Sequence, residues 1–156
     1  AGGATRGVLL PLLAAKPSTL VIANRTSERA LALAKVFADK AHTTLLSGCG
    51  LDALPHLVTT QGAFDVVINA TSASLGGEAI ALPANAIRPD GFAYDMMYGK
   101  TPTAFLNALC LTGVQHCADG LGMLVEQAAV AFALWRGIQP ETQPVYHALR
   151  ERLLRK

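Results

Sequence analysis

The sequence contains few charged, aromatic or cysteine residues. Only 15% of its 156 residues are charged and 6% are aromatic, whereas 51% are hydrophobic. Intrinsic disorder is excluded, because disordered segments combine low hydrophobicity with high charge. The net charge of +2 and the scattered basic residues argue against a nucleic-acid-binding surface. Basic residues cluster only near the end of the sequence, where we expect the solvated face of a helix, at Arg150, Arg152, Arg155 and Lys156.

Cysteine is too sparse to form a disulfide framework or a metal site. Cys49, Cys110 and Cys117 lie far apart, and neither among themselves nor with the four histidines do they show metal-ligand spacing. We therefore predict buried thiols, no metal and a reducing, cytoplasmic compartment. No signal-peptide pattern is visible, and the longest apolar stretch, 121–135, is short for a bilayer and contains Glu126. It is expected to be a core helix, with no membrane partner.

The first seven residues, AGGATRG, are glycine-rich and pass directly into an apolar run at 8–13. A glycine-rich turn at the start of a helix lets backbone N–H groups face a pyrophosphate, with the positive end of the helix dipole behind them. A plain structural turn has the same composition. These residues alone therefore leave a phosphate site and a structural turn as alternatives.

The spacing to the next segment favours the phosphate site. Thr19–Ala23 reads as a buried parallel strand that ends on Asn24-Arg25-Thr26, where a dinucleotide-binding fold places its ribose-reading residue, about 20 residues after the turn. An NAD site has an acidic side chain there, whereas Arg25 is cationic and suits a 2′-phosphate. The sequence therefore favours NADP. The alternative is a surface arginine that pairs with a nearby acid.

Strand and helix patterns alternate along the whole chain, and 156 residues suit one domain. This predicts an α/β fold with a doubly wound, Rossmann-like parallel sheet spanning 1–156. A turn is expected at Pro89-Asp90-Gly91 before the fourth strand. The predicted strands are Thr19–Ala23, Thr43–Leu46, Asp65–Ala70, Phe92–Asp95 and Gln115–Ala118. The predicted helices begin at Gly3 or Ala4 and then cover Ser27–Asp39, Leu51–Leu57 (broken at Pro55), Thr103–Leu111, Leu121–Arg136 and Glu141–Leu154.

Ligands of open α/β sheets bind beyond the carboxyl ends of the strands. Asn69 and Thr71 lie at the end of one predicted strand, but they are also typical of a turn that satisfies its own backbone. Asp95 lies at the end of another strand and could simply hold a loop. Tyr98 could be packed with its hydroxyl in water. Gln127, on an apolar helix, faces either solvent or a pocket.

Five stretches in register carry a family resemblance: AGGATRG at 1–7, NRTSER at 24–29, VINATS at 67–72, YDMMYGKTPTAFL at 94–106 and ADGLGMLVEQAAVAFALWRG at 118–137. Together they resemble the NADP-binding half of the shikimate dehydrogenases. That family comprises oxidoreductases that reduce 3-dehydroshikimate to shikimate with NADPH, on the route to chorismate and the aromatic amino acids. The NRT motif argues against the NAD-preferring quinate/shikimate relatives.

The resemblance implies a role for each candidate residue. It assigns the pyrophosphate to the glycine turn and the adenosine 2′-phosphate to the NRT motif, with Arg25 also stacking on adenine. The cofactor-binding residues that it implies are Ala1, Gly2, Gly3 and Ala4 for the pyrophosphate, Asn24, Arg25, Thr26 and Arg29 for the 2′-phosphate, and Asn69, Thr71, Met96 and Gly120 for the nicotinamide side. The substrate-binding residues that it implies are Tyr98 and Gln127.

The sequence also departs from the family pattern. The family's preceding strand and its N-terminal domain, which supplies a lysine and an aspartate for proton transfer, are not in this sequence. We therefore expect no catalytic residue here, no activity from these residues alone and a native chain that extends upstream. Without that first strand, Thr19–Ala23 and Asp65–Ile68 would each lose a neighbour, and direct pairing between them would contradict this expectation. A non-catalytic NADP-binding sensor or scaffold and a quinate/shikimate-type dehydrogenase remain alternatives, as do a monomer and a homodimer.

Overall fold

The computed structural model describes residues 2–71 and 80–155. Ala1, a predicted pyrophosphate contact, and most of the loop after the third predicted strand lie outside the described residues. The chain divides into two compact units, which are Ala1–Phe64 with Ala81–Ala86, and Asp65–Ile80 with Ile87–Lys156.

The first unit contains a parallel two-stranded sheet and three α-helices. Strands β1 and β2 pair in register from Thr19 opposite Leu45 to Asn24 opposite Gly50. Short 3₁₀ turns flank β2, at Ala38–Lys40 and Leu51–Ala53. The elements are α1 (Gly3–Ala14), β1 (Thr19–Asn24), α2 (Ser27–Val36), β2 (Leu45–Gly50) and α3 (Leu54–Gln61).

The core of the first unit joins α1, α2 and β1. Leu9 and Leu13 of α1 pack with Ile22 of β1 and with Ala30 and Leu33 of α2, all of them buried. Removing these apolar side chains from water is the main force that holds the helices against the sheet. Four residues connect α1 to β1, and each of the two elements is about 20 Å long.

The described residues of the second unit form a three-stranded sheet in the order β3-β4-β5 and three α-helices. Strands β4 and β5 are parallel, with Phe92 opposite His116 and Asp95 opposite Asp119. Helix α5 ends at Gly137, which adopts the left-handed conformation that was expected of a C-terminal glycine. The elements are β3 (Phe64–Asn69), β4 (Ile87–Asp95), α4 (Ala104–Cys110), β5 (His116–Asp119), α5 (Leu121–Arg136) and α6 (Gln143–Arg155).

The buried side chains of α5 lie within its first nine residues. Leu121, Val125 and Ala129 are buried, whereas Leu134 and Trp135 are each 81% exposed. The prediction of a core helix over 121–135 therefore holds for 121–129 and is wrong for the rest. The apolar character of the sequence does not distinguish the two parts, because burial depends on which elements pack against them.

The α/β fold with parallel strands that the sequence predicts is confirmed. Strands β1 and β3 belong to different sheets, so the direct pairing that would contradict a missing strand is not described. The absence of the first strand stays a prediction, as does the assignment of 1–156 to one domain.

Three local predictions are corrected. Pro89 and Gly91 lie inside β4 rather than in a turn: Pro89 has no N–H to donate, but its carbonyl oxygen accepts from Gln115 N at 3.2 Å. Pro55 does not break a helix but lies in the first turn of α3, where a missing N–H costs nothing. The second strand starts two residues later than predicted and extends through Gly48, where a Cβ would approach Ala30 O to 2.5 Å.

The predicted burial of the cysteines is also wrong. Cys110 is exposed, while Cys49 and Cys117 are half-buried, and all three are free thiols. The Cys110 and Cys117 sulfur atoms lie 3.5 Å apart, because the end of α4 lies beside β5. Cys110 and Cys117 match no metal or redox motif in the sequence, yet the fold brings their sulfur atoms into contact.

Candidate functional site

The N-terminus of α1 is an open helix end. Gly2 is the N-cap with φ −98° and ψ −170°, no side chain caps the helix, and its first turn contains no acidic residue. A Cβ added at Gly2 or Gly3 would meet nothing within 4 Å. Neither the backbone conformation nor the packing requires glycine there. The unpaired N–H groups and the positive dipole end are therefore accessible to an anion.

The NRT segment connects the last residue of β1 to the start of α2 in the first unit. Thr26 is the N-cap of α2, but its side chain makes no capping bond; instead, its N–H donates to Asn24 Oδ1 at 3.0 Å. Arg25 and Arg29 are exposed, and among residues 2–71 and 80–155 no carboxylate forms an ion pair with either. The alternative of a surface pair between Arg25 and an acid is therefore not supported. Glu28, in the first turn of α2, is the nearest acidic residue in the sequence.

In the second unit, a buried hydrogen-bond network centred on Asp95 joins the ends of β3 and β4. Asp95 is 0% exposed and Asn69 is 2% exposed. Asn69 Nδ2 donates to Asp95 Oδ1 at 3.1 Å, Met97 N donates to the same oxygen at 3.0 Å, and Thr103 Oγ1 donates to Oδ2 at 2.6 Å. Thr103 also caps α4, accepting from Leu106 N at 3.3 Å. A buried carboxylate with several donors holds the surrounding loops in one arrangement.

The turn after β3 satisfies its own backbone through Asn69. Asn69 Oδ1 accepts from Thr71 N at 3.0 Å and from Thr71 Oγ1 at 2.8 Å. Its amide is therefore bonded on both sides, to Asp95 and to Thr71. This geometry matches the turn alternative for the Asn69 side chain, while Thr71 is exposed.

Met96 and Gly120 are close neighbours at the ends of β4 and β5. Met96 N donates to Asn69 O at 2.9 Å, and Gly120 N donates to Met97 O at 3.0 Å. A Cβ at Gly120 would overlap the Met96 carbonyl oxygen. Glycine is thus required at position 120 by the approach of two backbones, unlike Gly2 and Gly3.

The two predicted substrate residues lie on different elements of the second unit. Tyr98 follows β4 and is 39% exposed, and Gln127 is exposed on α5. Neither side chain forms a hydrogen bond within the described residues. Both side chains are accessible, and their predicted contact with a substrate stays a prediction.

The sequence did not predict the ion pair between Arg150 of α6 and Asp119 of β5. Arg150 Nη2 lies 2.5 Å from Asp119 Oδ1, so Arg150 is not part of a solvated face. Hydrogen bonding to Asp119 raises the pKa of the guanidinium well above its usual value. Burial raises the pKa of Tyr94, and the negative charge of Asp119 raises it further. The one signal in the sequence is the i, i+4 spacing of Tyr146 and Arg150.

Two classes of site receive no support in the part of the chain that is described. No group of three or more histidine, cysteine or acidic side chains there could hold a metal ion. None of the helices in these residues has the length and apolarity needed to cross a bilayer.

Comparison with known proteins supports the resemblance that the sequence motifs carry. Residues 120–150 match the model of the shikimate 5′-dehydrogenase C-terminal domain. A shikimate dehydrogenase (NADP(+)) from Dechloromonas aromatica is 53% identical over 154 residues, which cover 99% of this chain and 53% of that protein. The resemblance to the shikimate dehydrogenases is confirmed. The chain spans about half the length of the curated relatives that it matches.

Solved structures of shikimate dehydrogenases and related enzymes share the fold. An Ael1 enzyme from Pseudomonas putida superposes with a TM-score of 0.81 at 47% identity, covering 95% of this chain and 51% of that one. Shikimate 5-dehydrogenase from Thermus thermophilus, crystallised with NADP(H) and shikimate, gives a TM-score of 0.75 at 31% identity, covering 97% of this chain and 52% of that one. The Rossmann-like α/β fold of this chain is therefore that of shikimate dehydrogenase.

Proposed function

We propose that this protein reduces 3-dehydroshikimate to shikimate with NADPH and that the present chain binds the cofactor. The observation that carries the proposal is the 53% identity with a shikimate dehydrogenase (NADP(+)) over 99% of the chain. NADPH supplies a hydride to the substrate ketone. The task of these residues is to bind and orient the two molecules.

The geometry of the first unit fits an anionic dinucleotide. Gly2, Gly3 and Ala4 offer the N–H groups of an uncapped helix end to the pyrophosphate. Arg25 and Arg29, exposed and without an acidic partner among the described residues, offer guanidinium groups to the 2′-phosphate. Asn24 and Thr26 form the turn that presents Arg25, through the bond between Asn24 Oδ1 and Thr26 N. Ala1 belongs to this proposal through the family resemblance alone.

The second unit is proposed to carry the nicotinamide side and part of the substrate site. Met96 and Gly120 lie side by side. Because Gly120 has no Cβ, its backbone can approach the Met96 backbone closely. Thr71, exposed beside the buried Asn69 and bonded to it, is proposed to contribute to the nicotinamide side after β3. The Asn69 side chain is buried. We propose that it contributes by holding Thr71 in position and not by contacting the cofactor itself.

Tyr98 and Gln127 are proposed to contact the substrate. Their exposed hydroxyl and amide groups match the ring hydroxyl and carboxylate groups of shikimate. Hydride transfer to a ketone leaves an alkoxide that an acid must protonate. We assign that acid to a part of the protein outside this chain, as the family resemblance implies. The reaction is proposed to be cytoplasmic, with the protein acting as a monomer or a homodimer.

The test is turnover by the protein expressed from its complete gene. Reduction of 3-dehydroshikimate is followed at 340 nm, once with NADPH and once with NADH. Oxidation of quinate is followed in separate assays, with NADP⁺ and with NAD⁺. Turnover of 3-dehydroshikimate with a strong preference for NADPH is the expected result. NADPH binding without turnover would favour a sensor or scaffold, and faster oxidation of quinate would favour a quinate/shikimate-type dehydrogenase.

A further inference from the structure

Arg150 holds the carboxyl end of β5 through a bidentate ion pair. Arg150 Nη1 donates to Asp119 Oδ2 at 2.9 Å, and Arg150 Nη2 donates to Asp119 Oδ1 at 2.5 Å. The Arg150 side chain is 27% exposed and that of Asp119 is 11% exposed. A planar guanidinium that bonds both carboxylate oxygens fixes their orientation as well as their position. Arg88 and Asp90 also form a bidentate pair, but their side chains are 53% and 69% exposed, so the Arg150–Asp119 pair is the less solvated of the two.

The same guanidinium reaches a second loop. Arg150 Nη1 also donates to Gly99 O at 3.3 Å, and the guanidinium carbon lies 5.6 Å from the centre of the Tyr146 ring. Asp119 Oδ1 also accepts from Leu121 N at 3.2 Å, where α5 begins. One side chain of α6 thus connects the loop after β4 with the turn between β5 and α5.

These two connected segments carry residues of the proposed site. Tyr98 precedes Gly99 directly, and Gly120 follows Asp119 directly. Because a Cβ at Gly120 would overlap Met96 O, a shift of this turn would change the width of the nicotinamide side. We infer that Arg150 is a positioning residue for the proposed reaction, which fixes the Gly99 and Gly120 backbones so that Tyr98 and the cofactor edge keep their places. This inference rests on the proposed function.

The test compares two arginines of α6 in the protein expressed from its complete gene. Arg150→Met removes the hydrogen bonds to Asp119 and Gly99, whereas Arg150→Lys keeps the charge but not the bidentate geometry. Arg152→Met is the control, because it changes an exposed arginine on the same helix. We expect Arg150→Met to reduce kcat/KM for 3-dehydroshikimate by about 100-fold, because small misplacement of reacting groups has effects of that size. Arg150→Lys should recover part of the loss, and Arg152→Met should stay within about twofold of the unaltered protein.

A second measurement does not depend on activity. Amide hydrogen exchange without substrate should be faster at Gly120 and Leu121 in Arg150→Met than in Arg152→Met, because these amides lie in the turn that Arg150 holds. The thermal midpoint of each variant is measured as well, and all assays are run well below it. If Arg150→Met does not fold, Arg150→Lys is compared with Arg152→Lys in both measurements.

The outcomes separate the inference from the proposed function. Absence of turnover by the unaltered protein would overturn the proposed function and this inference with it. Normal turnover together with unchanged kinetics in Arg150→Met, even at a lowered thermal midpoint, would overturn the inference alone. Loss of kcat/KM with faster exchange at Gly120 and partial recovery in Arg150→Lys would support it.

Discussion

The two units differ in how their candidate residues are packed: most of those in the first unit are exposed, whereas Asp95 and Gly120 of the second are closely packed. In the first unit, the uncapped helix end at Gly2 and Gly3 has free space around it, and Arg25 is exposed. In the second unit, Asp95 is fully buried among donors from three segments, and Gly120 is packed against a neighbouring backbone.

The difference separates residues that stabilise the fold from residues whose polar groups remain accessible. A glycine or arginine without local contacts contributes little to stability, so its chemistry is available to an anion. A buried carboxylate that bonds several loops contributes to stability and affects a ligand only through the loops that it holds. Substitutions in the first unit should therefore change cofactor affinity, and those in the second should change stability first.

The largest effect on stability is expected at Asp95. Asp95→Ala leaves Asn69 Nδ2, Met97 N and Thr103 Oγ1 without this acceptor, and we expect the free energy of unfolding to fall by about 3 kcal/mol. Urea denaturation measures the change, and Asp90→Ala, at an exposed carboxylate of the same strand, should cost less than about 1 kcal/mol. Equal effects of the two substitutions would contradict the account of the buried network.

The next largest effect is expected at Arg25. Arg25→Asp places a negative charge against the 2′-phosphate, so the Kd for NADPH should rise by about 100-fold and that for NADH by less than about threefold. Fluorescence titration measures both constants. Arg25→Gln should give an intermediate loss, and Arg155→Gln, on an exposed arginine of α6, should give none. Equal losses for both cofactors would remove Arg25 from the 2′-phosphate site.

The two kinds of glycine offer a sharper contrast. Gly3→Ala should leave the thermal midpoint unchanged, because a Cβ there meets nothing within 4 Å, yet should raise the Kd for NADPH by about tenfold through crowding of the pyrophosphate. Gly120→Ala should lower the free energy of unfolding by about 1–3 kcal/mol, because its Cβ overlaps Met96 O. A destabilised Gly3→Ala with normal affinity would reverse the comparison.

The smallest effect is a difference in thiol reactivity. Burial, with a contribution from Cys110, raises the pKa of Cys117 to about 11. Burial favours the neutral thiol, so at pH 8 only about one Cys117 in 1,000 is the reactive thiolate. Iodoacetamide should therefore label the exposed Cys110 first and Cys117 much later, with the rate at Cys117 rising up to about pH 11. Mass spectrometry of timed samples measures the order, and faster labelling of Cys117 would contradict this prediction.

Periodicity predicted most of the elements, whereas the candidate residues came from the strand-end positions and from the family resemblance, and their roles stay predictions. Helix α5 begins and ends at the predicted residues, Leu121 and Arg136, because a long apolar pattern is bounded by glycines. The extended strand at Pro89–Gly91 was missed, because local turn propensity is overridden when a neighbouring segment supplies the hydrogen bonds.

The long-range contacts of the site could not be predicted. Asp95 bonds Asn69 across 26 positions, and Arg150 bonds Asp119 across 31. Neither pair has a local spacing that would reveal it. Clustered basic residues on a helix are usually solvated, so the pairing of Arg150 with Asp119 could be recognised only from the fold. The open geometry at Gly2 is likewise a property of packing rather than of composition.

The central claim is that the first unit binds the 2′-phosphate of NADPH. The nucleotide 2′,5′-ADP tests this claim most directly, because it carries the 2′-phosphate but lacks the nicotinamide. Calorimetric titration of the protein expressed from its complete gene compares 2′,5′-ADP with 5′-AMP. We predict that 2′,5′-ADP binds at least about tenfold more tightly and that Arg25→Asp abolishes the difference while Gly120→Ala preserves it. Equal binding of the two nucleotides by the unaltered protein would contradict the account.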